Sequence, residues 1–270
     1  MSIKPPEVSS PLLFFDTGVG GLSVLGESQK LMPNAPVVYA ADYAGMPYGQ
    51  KSELELAARV PALLGRLVER YQPQLVTIAC NTASTIALDY VRSALDVPVV
   101  GTVPAVKPAA EKTKTGVIGL LGTEATIRQP YVDRLASEFA VGKRILRFGA
   151  PDLVYAAEQK LRGEEPEREI IDKALAGLFN QEDGDRIDTI ILACTHFPLV
   201  EPELQKSVSR DIQFVDGSMG IARRIMHLAS HKKWPENGGN GVFVTTGSLA
   251  SVKPYEHALR SFGLSEFHTL

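Results

Sequence analysis

Residues 75–82 have the sequence LVTIACNT, and residues 189–196 have the sequence TIILACTH. Both segments are short runs of apolar and β-branched residues that end in Ala-Cys and continue into residues with polar side chains. Runs of this length and composition are typical of strands that are buried on both faces of a parallel sheet. The two segments form a weak internal repeat and predict two equivalent strands in different parts of the chain.

Similar apolar runs recur along the chain and alternate with segments in which the apolar residues have a helical period. The predicted strands cover residues 12–15, 37–40, 75–79, 97–101, 117–121, 145–148, 187–193 and 242–245. The predicted helices include residues 54–71, 127–139, 153–161 and 167–179. This alternation favours parallel βαβ units, so the predicted fold class is α/β. Pro61 lies within residues 54–71, where a proline either kinks a helix or marks its true start.

A second, weaker repeat pairs FFDTG at residues 14–18 with LLGT at residues 120–123, each at the end of a predicted strand. Two similar parallel-sheet α/β lobes, related by pseudo-two-fold symmetry with the site between them, would explain both repeats. The Pro-containing segment 103–108 is the expected crossing point between the lobes, and residues 216–218 are the expected return. The expected lobes are residues 1–103 with 217–270, and residues 104–216.

Composition and charge bound the class of function. The 270 residues are 44% hydrophobic and 22% charged with a net charge of −3, which is ordinary for a globular protein. Lys and Arg are spread along the chain, so no electrostatic footprint for nucleic acid or a membrane surface is expected. No apolar run approaches the roughly 18 residues that span a bilayer, and residues 1–11 are too polar for a signal peptide. We therefore expect a cytoplasmic protein whose partner is a small molecule.

Three residues with reactive side chains directly follow predicted strands, namely Asp16, Cys80 and Cys194. Ligands of parallel α/β sheets bind beyond the carboxyl ends of the strands. Each cysteine also precedes a predicted helix N-terminus, where free N–H groups favour a thiolate. A single cysteine in this position is more often a small buried hydrophobe. Because these are the chain's two cysteines and share one context, a common site with two free, reactive thiols is favoured.

His196 and Asp16 each have a catalytic and a structural interpretation. His196 follows Cys194 by two positions, which puts both side chains on one side of the chain if the strand continues. An imidazole there can exchange protons near the thiol, or it can be a satisfied structural histidine. Asp16 can support catalysis, or it can cap the helix that begins near Gly20.

Motifs for common cofactors are incomplete. GVGG at residues 18–21 follows a strand, but Ser23 stands where a dinucleotide-binding fingerprint has its next glycine. The turn can still present N–H groups to a carboxylate, or it can be a turn that needs positive φ. GQKS at residues 49–52 lacks the spacing of a P-loop, and no cluster of His, Cys and acidic residues has metal-ligand spacing. No cofactor and no metal is expected.

Four sequence blocks together resemble the motifs of bacterial glutamate racemases, which belong to the cofactor-independent aspartate/glutamate racemase superfamily. They are FDTGVGGLSV at residues 15–24, PYG at 47–49, ACNTAS at 79–84 and ACTHFPL at 193–199. The blocks occur in the family's order and span most of the chain, with weaker agreement at residues 119–123 and 153–158. The two cysteine blocks together are far more specific than either alone.

The resemblance implies interconversion of L- and D-glutamate without pyridoxal phosphate or metal, which supplies D-glutamate for peptidoglycan. Inverting an α-carbon requires a base on one face and an acid on the other, so one thiol is ionised while its partner is protonated. By similarity, Cys80 takes the proton from D-glutamate with the assistance of Asp16. Cys194 takes the proton from L-glutamate with the assistance of His196.

The resemblance also implies a set of residues around the substrate. They are Asp16, Thr17, Tyr48, Gly49, Asn81, Thr82, Thr123, Thr126, Glu158, Thr195 and His196. Asn81, Thr82, Thr123 and Thr126 are expected at the α-carboxylate. Thr17 stands where the family usually has serine, which keeps the hydroxyl and adds a methyl group.

Two partner hypotheses also follow from the resemblance. Residues 99–110 look like the version found in some Gram-negative members, a few of which require a cell-wall precursor as activator. Activation by a UDP-linked muropeptide, UDP-N-acetylmuramyl-alanine, is therefore a hypothesis for this chain. The family commonly forms dimers, so a homodimer is a second hypothesis.

Three alternative functions stay open at this point. A racemase of the same superfamily that acts on aspartate has the same pair of thiols, because these do not set the length of the substrate side chain. A thiol redox protein would cycle Cys80 and Cys194 through a disulfide, although the chain has no Cys-X-X-Cys motif. A two-lobed binding protein would sense an amino acid without turning it over.

Overall fold

A computed structural model describes residues 10–230, 234 and 241–270. Most of residues 1–11, on which the expectation about a signal peptide rests, lies outside the described residues. The strands are β1 (Leu12–Asp16), β2 (Val37–Ala41), β3 (Leu75–Ile78), β4 (Val99–Gly101), β5 (Val117–Gly122), β6 (Arg144–Gly149), β7 (Thr189–Leu192), β8 (Gln213–Val215), β9 (Gly241–Thr245) and β10 (Leu264–Thr269).

The α-helices alternate with these strands, as the sequence pattern predicts. They are α1 (Leu22–Leu31), α2 (Glu53–Tyr71), α3 (Asn81–Ala94), α4 (Val106–Lys112), α5 (Glu124–Ile127), α6 (Pro130–Phe139), α7 (Asp152–Leu161), α8 (Arg168–Phe179), α9 (Glu201–Ser207), α10 (Ser218–Ala229), α11 (Leu249–Val252) and α12 (Glu256–Ser261). Short 3₁₀ turns include Tyr48–Gln50 and Phe197–Val200. Among the described helices, none combines the length and the apolar character that crossing a bilayer requires.

Within the described residues the strands form two sheets, and every strand pair is parallel. The strand orders are β10-β9-β2-β1-β3-β4 and β6-β5-β7-β8. The segment β2-β1-β3-β4 of the first sheet therefore has the same connectivity as the whole second sheet. The predicted α/β class is confirmed, and the repeated sequences at residues 75–82 and 189–196 supply β3 and β7, which hold equivalent positions.

The chain forms two compact units, and each is described by itself. The first comprises the described residues of Met1–Thr102 and Ser218–Leu270, and the second is Val103–Gly217. In the first unit, every residue of β1, β2 and β3 is buried, because helices cover both faces of a parallel sheet. In the second unit, β5 and β7 are buried throughout in the same way.

Helix α2 shows how the sequence pattern produces one covering helix. Its buried residues recur at helical spacing on one face: Leu56, Val60, Leu64, Leu67 and Tyr71. The Ser52 side chain accepts a hydrogen bond from the Glu55 N–H group and caps the first turn. Pro61 lies inside the helix, which begins at Glu53, so the proline does not mark its start. The buried face packs against the sheet of the first unit.

Candidate active site

Asp16, the last residue of β1, is fully buried, and both of its carboxylate oxygens accept hydrogen bonds. Its Oδ1 accepts from the Thr17 N–H group at 2.7 Å. Its Oδ2 accepts from the Gly21 N–H group at 2.6 Å and from the Tyr39 hydroxyl at 3.2 Å. Gly21 is the N-cap residue of α1, so Asp16 does bind the start of that helix. The carboxylate is thereby fixed at the carboxyl end of the strand.

Gly21 is required by a close approach between α1 and β3. A Cβ atom on this residue would lie 2.7 Å from the Ala79 Cβ atom and 2.8 Å from the Tyr39 hydroxyl oxygen. Ala79 directly precedes Cys80, and its N–H group donates to the Phe15 carbonyl at 2.7 Å. These contacts bring the ends of β1 and β3 together, where Asp16 follows Phe15 and Ala79-Cys80 follow its partner Ile78.

Cys80 is a buried cysteine at the N-cap position of α3. Its backbone is extended, and the helix begins at Asn81. Two nearby polar atoms, Thr17 Oγ1 and Asn81 Oδ1, are buried and lack a hydrogen-bond partner among the described residues. Buried polar atoms of this kind normally have a partner, and these two are suited to bind a polar ligand.

Tyr48 lies in the 3₁₀ turn Tyr48–Gln50 and is almost completely buried. Its hydroxyl donates a hydrogen bond of 2.6 Å to Asp42 Oδ2. Burial and the adjacent Asp42 charge raise the pKa of Tyr48 above its ordinary value. Burial, followed by the charge of Asp16, likewise raises the pKa of Tyr39. Both phenols are therefore neutral donors at physiological pH.

In the second unit, Cys194 follows β7 as Cys80 follows β3, and it too is a buried cysteine. The His196 Nδ1 atom lies 3.9 Å from the Cys194 Sγ atom. On the other side of the ring, His196 Nε2 lies 3.6 Å from Glu158 Oε1, which is an ion-pair distance rather than a hydrogen bond. Thiol, imidazole and carboxylate thus form a buried series.

The charge of His196 depends on this series. Burial by itself lowers the pKa of the imidazole, but Cys194 and Glu158 outweigh it, so that the pKa of His196 is well above its ordinary 6.5. The imidazole is therefore biased toward its protonated form. In that form both ring nitrogens carry a proton, and the ring has a positive charge beside the thiol.

Thr123 and Thr126 lie at the carboxyl end of β5, which pairs with β7. Thr123 is the N-cap residue of α5, and its Oγ1 accepts from the Thr126 N–H group at 3.2 Å. The two hydroxyl oxygens are 2.9 Å apart. Because Leu121 of β5 accepts a hydrogen bond from the Ala193 N–H group, both threonines are close to the strand end that carries Cys194.

The predicted site residues divide between the two units. The first unit holds Asp16, Thr17, Tyr48, Gly49, Cys80, Asn81 and Thr82, and the second holds Thr123, Thr126, Glu158, Cys194, Thr195 and His196. Sequence reasoning missed Tyr39 and Asp42. Asp16 ends β1 and Asp42 directly follows the neighbouring strand β2, so the same rule of strand-end residues would have found it.

The chain matches a family model described as Asp/Glu/hydantoin racemase over residues 24–222. The chain belongs to this racemase family. A glutamate racemase of Sphingopyxis alaskensis is 59% identical to this racemase over 268 residues, covering 99% of this chain and 100% of the relative. A glutamate racemase of Brucella anthropi is 40% identical over 231 residues, covering 85% of this chain and 83% of the relative.

Solved structures agree with this assignment. Escherichia coli glutamate racemase, in complex with L-glutamate and the activator UDP-MurNAc-Ala, superposes on this racemase with a TM-score of 0.89 and 35% identity. The match covers 97% of this chain and 98% of the other. The predicted resemblance to glutamate racemases is confirmed, and with it the prediction that the chain is an enzyme that racemises an amino acid.

Proposed function

We propose that this racemase interconverts L- and D-glutamate by a two-base mechanism in which Cys80 and Cys194 act on opposite faces of the α-carbon. The observation that carries the proposal is the equivalence of the two thiols. Each follows an Ala residue at the carboxyl end of the third strand of a β-β-β unit with the same connectivity. The identity to glutamate racemases over the full chain supports glutamate as the substrate.

The two thiols perform one inversion in two proton transfers. A thiolate removes the α-proton from one face, and the C–H electron pair remains on the α-carbon as a carbanion. The opposite thiol then donates its proton to the other face, which gives the other enantiomer. The two cysteines end with exchanged protonation states, and proton exchange with water or turnover in the reverse direction restores them.

Each thiol has a different assistant. Cys80, the base toward D-glutamate, is assisted by the carboxylate of Asp16. Cys194, the base toward L-glutamate, is assisted by His196, whose raised pKa favours a positive charge beside the thiol. An imidazolium stabilises a neighbouring thiolate and can return a proton to it, which matches what this base must do.

Substrate binding requires partners for two carboxylates and one ammonium group. We propose Asn81, Thr82, Thr123 and Thr126 at the α-carboxylate, because hydroxyl, amide and N–H donors of two helix starts suit an anion. The remaining contacts are proposed for Asp16, Thr17, Tyr48, Gly49, Glu158, Thr195 and His196. The buried Thr17 hydroxyl and Asn81 Oδ1 lack a partner among the described residues. The hydroxyl can donate to a carboxylate, whereas the amide oxygen can only accept and therefore suits the ammonium group, with the Asn81 NH₂ group left as the donor to the α-carboxylate.

The biological setting is proposed from the same reasoning. D-Glutamate made by the enzyme would enter peptidoglycan synthesis in the cytoplasm. The activator in the Escherichia coli structure supports the hypothesis that UDP-MurNAc-Ala activates this racemase. Unchanged rates after adding that compound would contradict the hypothesis, and light scattering of the purified protein tests the proposed homodimer.

Circular dichroism of the purified protein tests the central proposal. L-Glutamate, D-glutamate and L-aspartate are followed separately, without added cofactor, for the wild type and for Cys80→Ala and Cys194→Ala. We expect glutamate to lose its optical activity from either enantiomer and each variant to abolish this loss.

Turnover of aspartate alone would shift the assignment to an aspartate racemase. Ligand-induced stabilisation without turnover would favour a binding protein, and a Cys80–Cys194 disulfide under mild oxidant would favour a redox role.

A further inference from the structure

Asp42 is a fully buried carboxylate that accepts four hydrogen bonds. Arg59 donates from Nε to Oδ2 at 2.5 Å and from Nη2 to Oδ1 at 2.7 Å. The Tyr48 hydroxyl donates to Oδ2 at 2.6 Å, and the Thr246 hydroxyl donates to Oδ1 at 2.6 Å. Each carboxylate oxygen therefore has one donor from the guanidinium and one from a hydroxyl.

Asp42 and its three partners come from four separate parts of the first unit. Asp42 follows β2, Thr246 follows the neighbouring strand β9, Arg59 lies on α2, and Tyr48 lies in a 3₁₀ turn. The Asp42 N–H group also donates to the carbonyl of Asp16 at 2.8 Å. The carboxylate thus connects the loop that carries Tyr48 to the strand ends beside the proposed catalytic residues.

The ion pair keeps Asp42 charged although it is buried. Burial would raise the pKa of this carboxyl, but the hydrogen bonds from Arg59, Thr246 and Tyr48 and the charge of Arg59 hold it below its ordinary value. A buried charge is tolerated when it is paired and hydrogen-bonded, and the bidentate guanidinium satisfies both requirements. The carboxylate is therefore a strong acceptor that fixes the Tyr48 hydroxyl.

The backbone between Asp42 and Tyr48 is shaped around this ion pair. A Cβ atom on Gly45 would lie 2.3 Å from Asp42 Oδ2 and 2.7 Å from Arg59 Nε. Any side chain at residue 45 would therefore displace the carboxylate or the guanidinium. The Gly45 N–H group donates to the Asp42 carbonyl, which closes the turn.

We propose that Asp42 is a positioning residue of the racemase reaction, which acts through Tyr48 to hold the Pro47–Gly49 segment beside Cys80. Tyr48 and Cys80 belong to one buried cluster, and the 3₁₀ turn of Tyr48 packs against α3, which begins directly after Cys80. Because the Tyr48 hydroxyl is directed at Asp42, the position of the ring depends on that carboxylate. The inference rests on the proposed function, in which Tyr48 and Gly49 contact glutamate.

A double-mutant cycle on kcat/KM tests the inference with Asp42→Asn, Tyr48→Phe and the combined variant. In Asn, one oxygen becomes an amide group that faces a guanidinium N–H group, so the network is broken with little change of volume. We expect Asp42→Asn to lower kcat/KM roughly tenfold, mainly through KM, as for the loss of one charge-assisted hydrogen bond. In the Tyr48→Phe background, the same substitution should have a much smaller effect.

Asp188→Asn is the matched control. Asp188 accepts hydrogen bonds from the Thr113 hydroxyl and from the N–H groups of Lys114 and Thr115. Burial would raise the pKa of this carboxyl, but these hydrogen bonds hold it below its ordinary value, as for Asp42. It directly precedes β7, at the opposite end of that strand from Cys194. We expect this variant to lower Tm without changing KM or kcat. A purely structural role of Asp42 would give the same pattern.

The outcomes separate the two proposals. If the wild type does not racemise glutamate, the proposed function fails. If the wild type is active but Asp42→Asn lowers only Tm, or if the effects of Asp42→Asn and Tyr48→Phe are additive, the positioning role is refuted. Should Asp42→Asn not fold, Thr246→Val and Arg59→Lys each weaken one side of the network and replace it in the same cycle.

Discussion

The two thiols have equivalent backbone positions but different chemical neighbours. Cys80 and Cys194 each follow the third strand of the same β-β-β connectivity. Beside Cys80, the neighbouring strand ends in Asp16, a carboxylate fixed by N–H groups and a phenol. Beside Cys194 lies the imidazole of His196, which pairs with Glu158. The repeated fold thus conserves where the thiol is placed, while the charge next to it differs.

The different neighbours of Cys80 and Cys194 can be detected only in some kinetic quantities. The enantiomers of glutamate have equal free energy, so kcat/KM must be equal in both directions for every variant. A change confined to one thiol's surroundings therefore appears in kcat and KM separately, in proton exchange or in pH dependence. The predictions below use these quantities, because the ratio of the two efficiencies carries no information.

The largest expected effect comes from removing one thiol at a time. Cys80→Ala and Cys194→Ala should each lower racemisation by about 10³-fold or more, because one of two required proton transfers is lost. In D2O, the variant that retains Cys80 should still exchange the α-proton of D-glutamate without inversion. The variant that retains Cys194 should exchange that of L-glutamate, as measured by proton NMR.

The doubly substituted Cys80→Ala/Cys194→Ala protein is the control for this exchange and should show none. Exchange of the opposite enantiomer in each variant would reverse the assignment of the two bases. Racemisation at the wild-type rate by either single variant would refute the two-thiol mechanism.

The next effect distinguishes the two assistants. His196→Asn and Asp16→Asn should each lower kcat by about 10- to 100-fold, the usual range when acid/base assistance is removed. Asp16→Asn should also lower Tm, because an amide group would then face the N–H group of Thr17 or Gly21. Steady-state kinetics and thermal unfolding of the same preparations measure both quantities.

Tyr39→Phe sharpens this comparison, because it removes the hydrogen bond from the phenol to Asp16 and leaves the carboxylate in place. Its effect on kcat should be smaller than that of Asp16→Asn. If His196→Asn lowered Tm as much as Asp16→Asn and left kcat unchanged, the imidazole would be structural, and the proposed contrast between the two sides would be wrong.

The sequence predicted the parts of this structure that depend on local pattern. The strands at residues 12–15, 37–40 and 117–121 agree with β1, β2 and β5 to within one residue at each end. β8 and β10 were missed, because β8 has three residues and β10 has polar or partly exposed positions that interrupt its apolar pattern. Strand-end position and motif identity predicted the candidate residues.

The supporting network was not predictable in the same way. The hydrogen bonds of Asp42 join residues 42, 48, 59 and 246, which are brought together by sheet order and not by any local motif. Tyr39 lies inside an apolar strand, where the sequence indicates only a core residue. Its hydroxyl reaches Asp16 because β1 and β2 are neighbours, which the sequence alone does not specify.

A smaller effect is expected from adding a methyl group at one glycine beside each thiol-bearing strand. Gly21 lies against Ala79 after β3, and Gly122 lies near Ala193 after β7. Gly21→Ala should lower the free energy of unfolding by about 1 to 3 kcal/mol, since its Cβ would meet Ala79 and Tyr39 at 2.7 and 2.8 Å. Gly122→Ala in the second unit should cost less, because its nearest contact, with Ile127, is 3.0 Å. Urea denaturation measures both.

Gly65→Ala is the control for these substitutions, because nothing lies within 4 Å of its Cβ position inside α2. It should stabilise the protein by about 0.5 to 1 kcal/mol through helix propensity. Equal losses for Gly21→Ala and Gly122→Ala would show that the two strand ends tolerate crowding equally and would remove this part of the comparison.

The smallest effect is a change in how stability depends on pH, and its sign is opposite for the two units. The folded-state pKa of His196 lies above 6.5, so its contribution is complete below pH 6.5 and is lost as pH rises through the folded-state value. The folded-state pKa of Asp42 lies below 3.8, so its contribution is complete above pH 3.8 and is lost as pH falls through the folded-state value. One group can give a slope of at most about 1.4 kcal/mol per pH unit.

Denaturation across pH should therefore show that His196→Asn flattens only the alkaline side of the stability curve and Asp42→Asn only the acid side. A loss of slope on the same side in both variants would contradict the assignment of a cationic partner to Cys194 and an anionic network to the unit of Cys80.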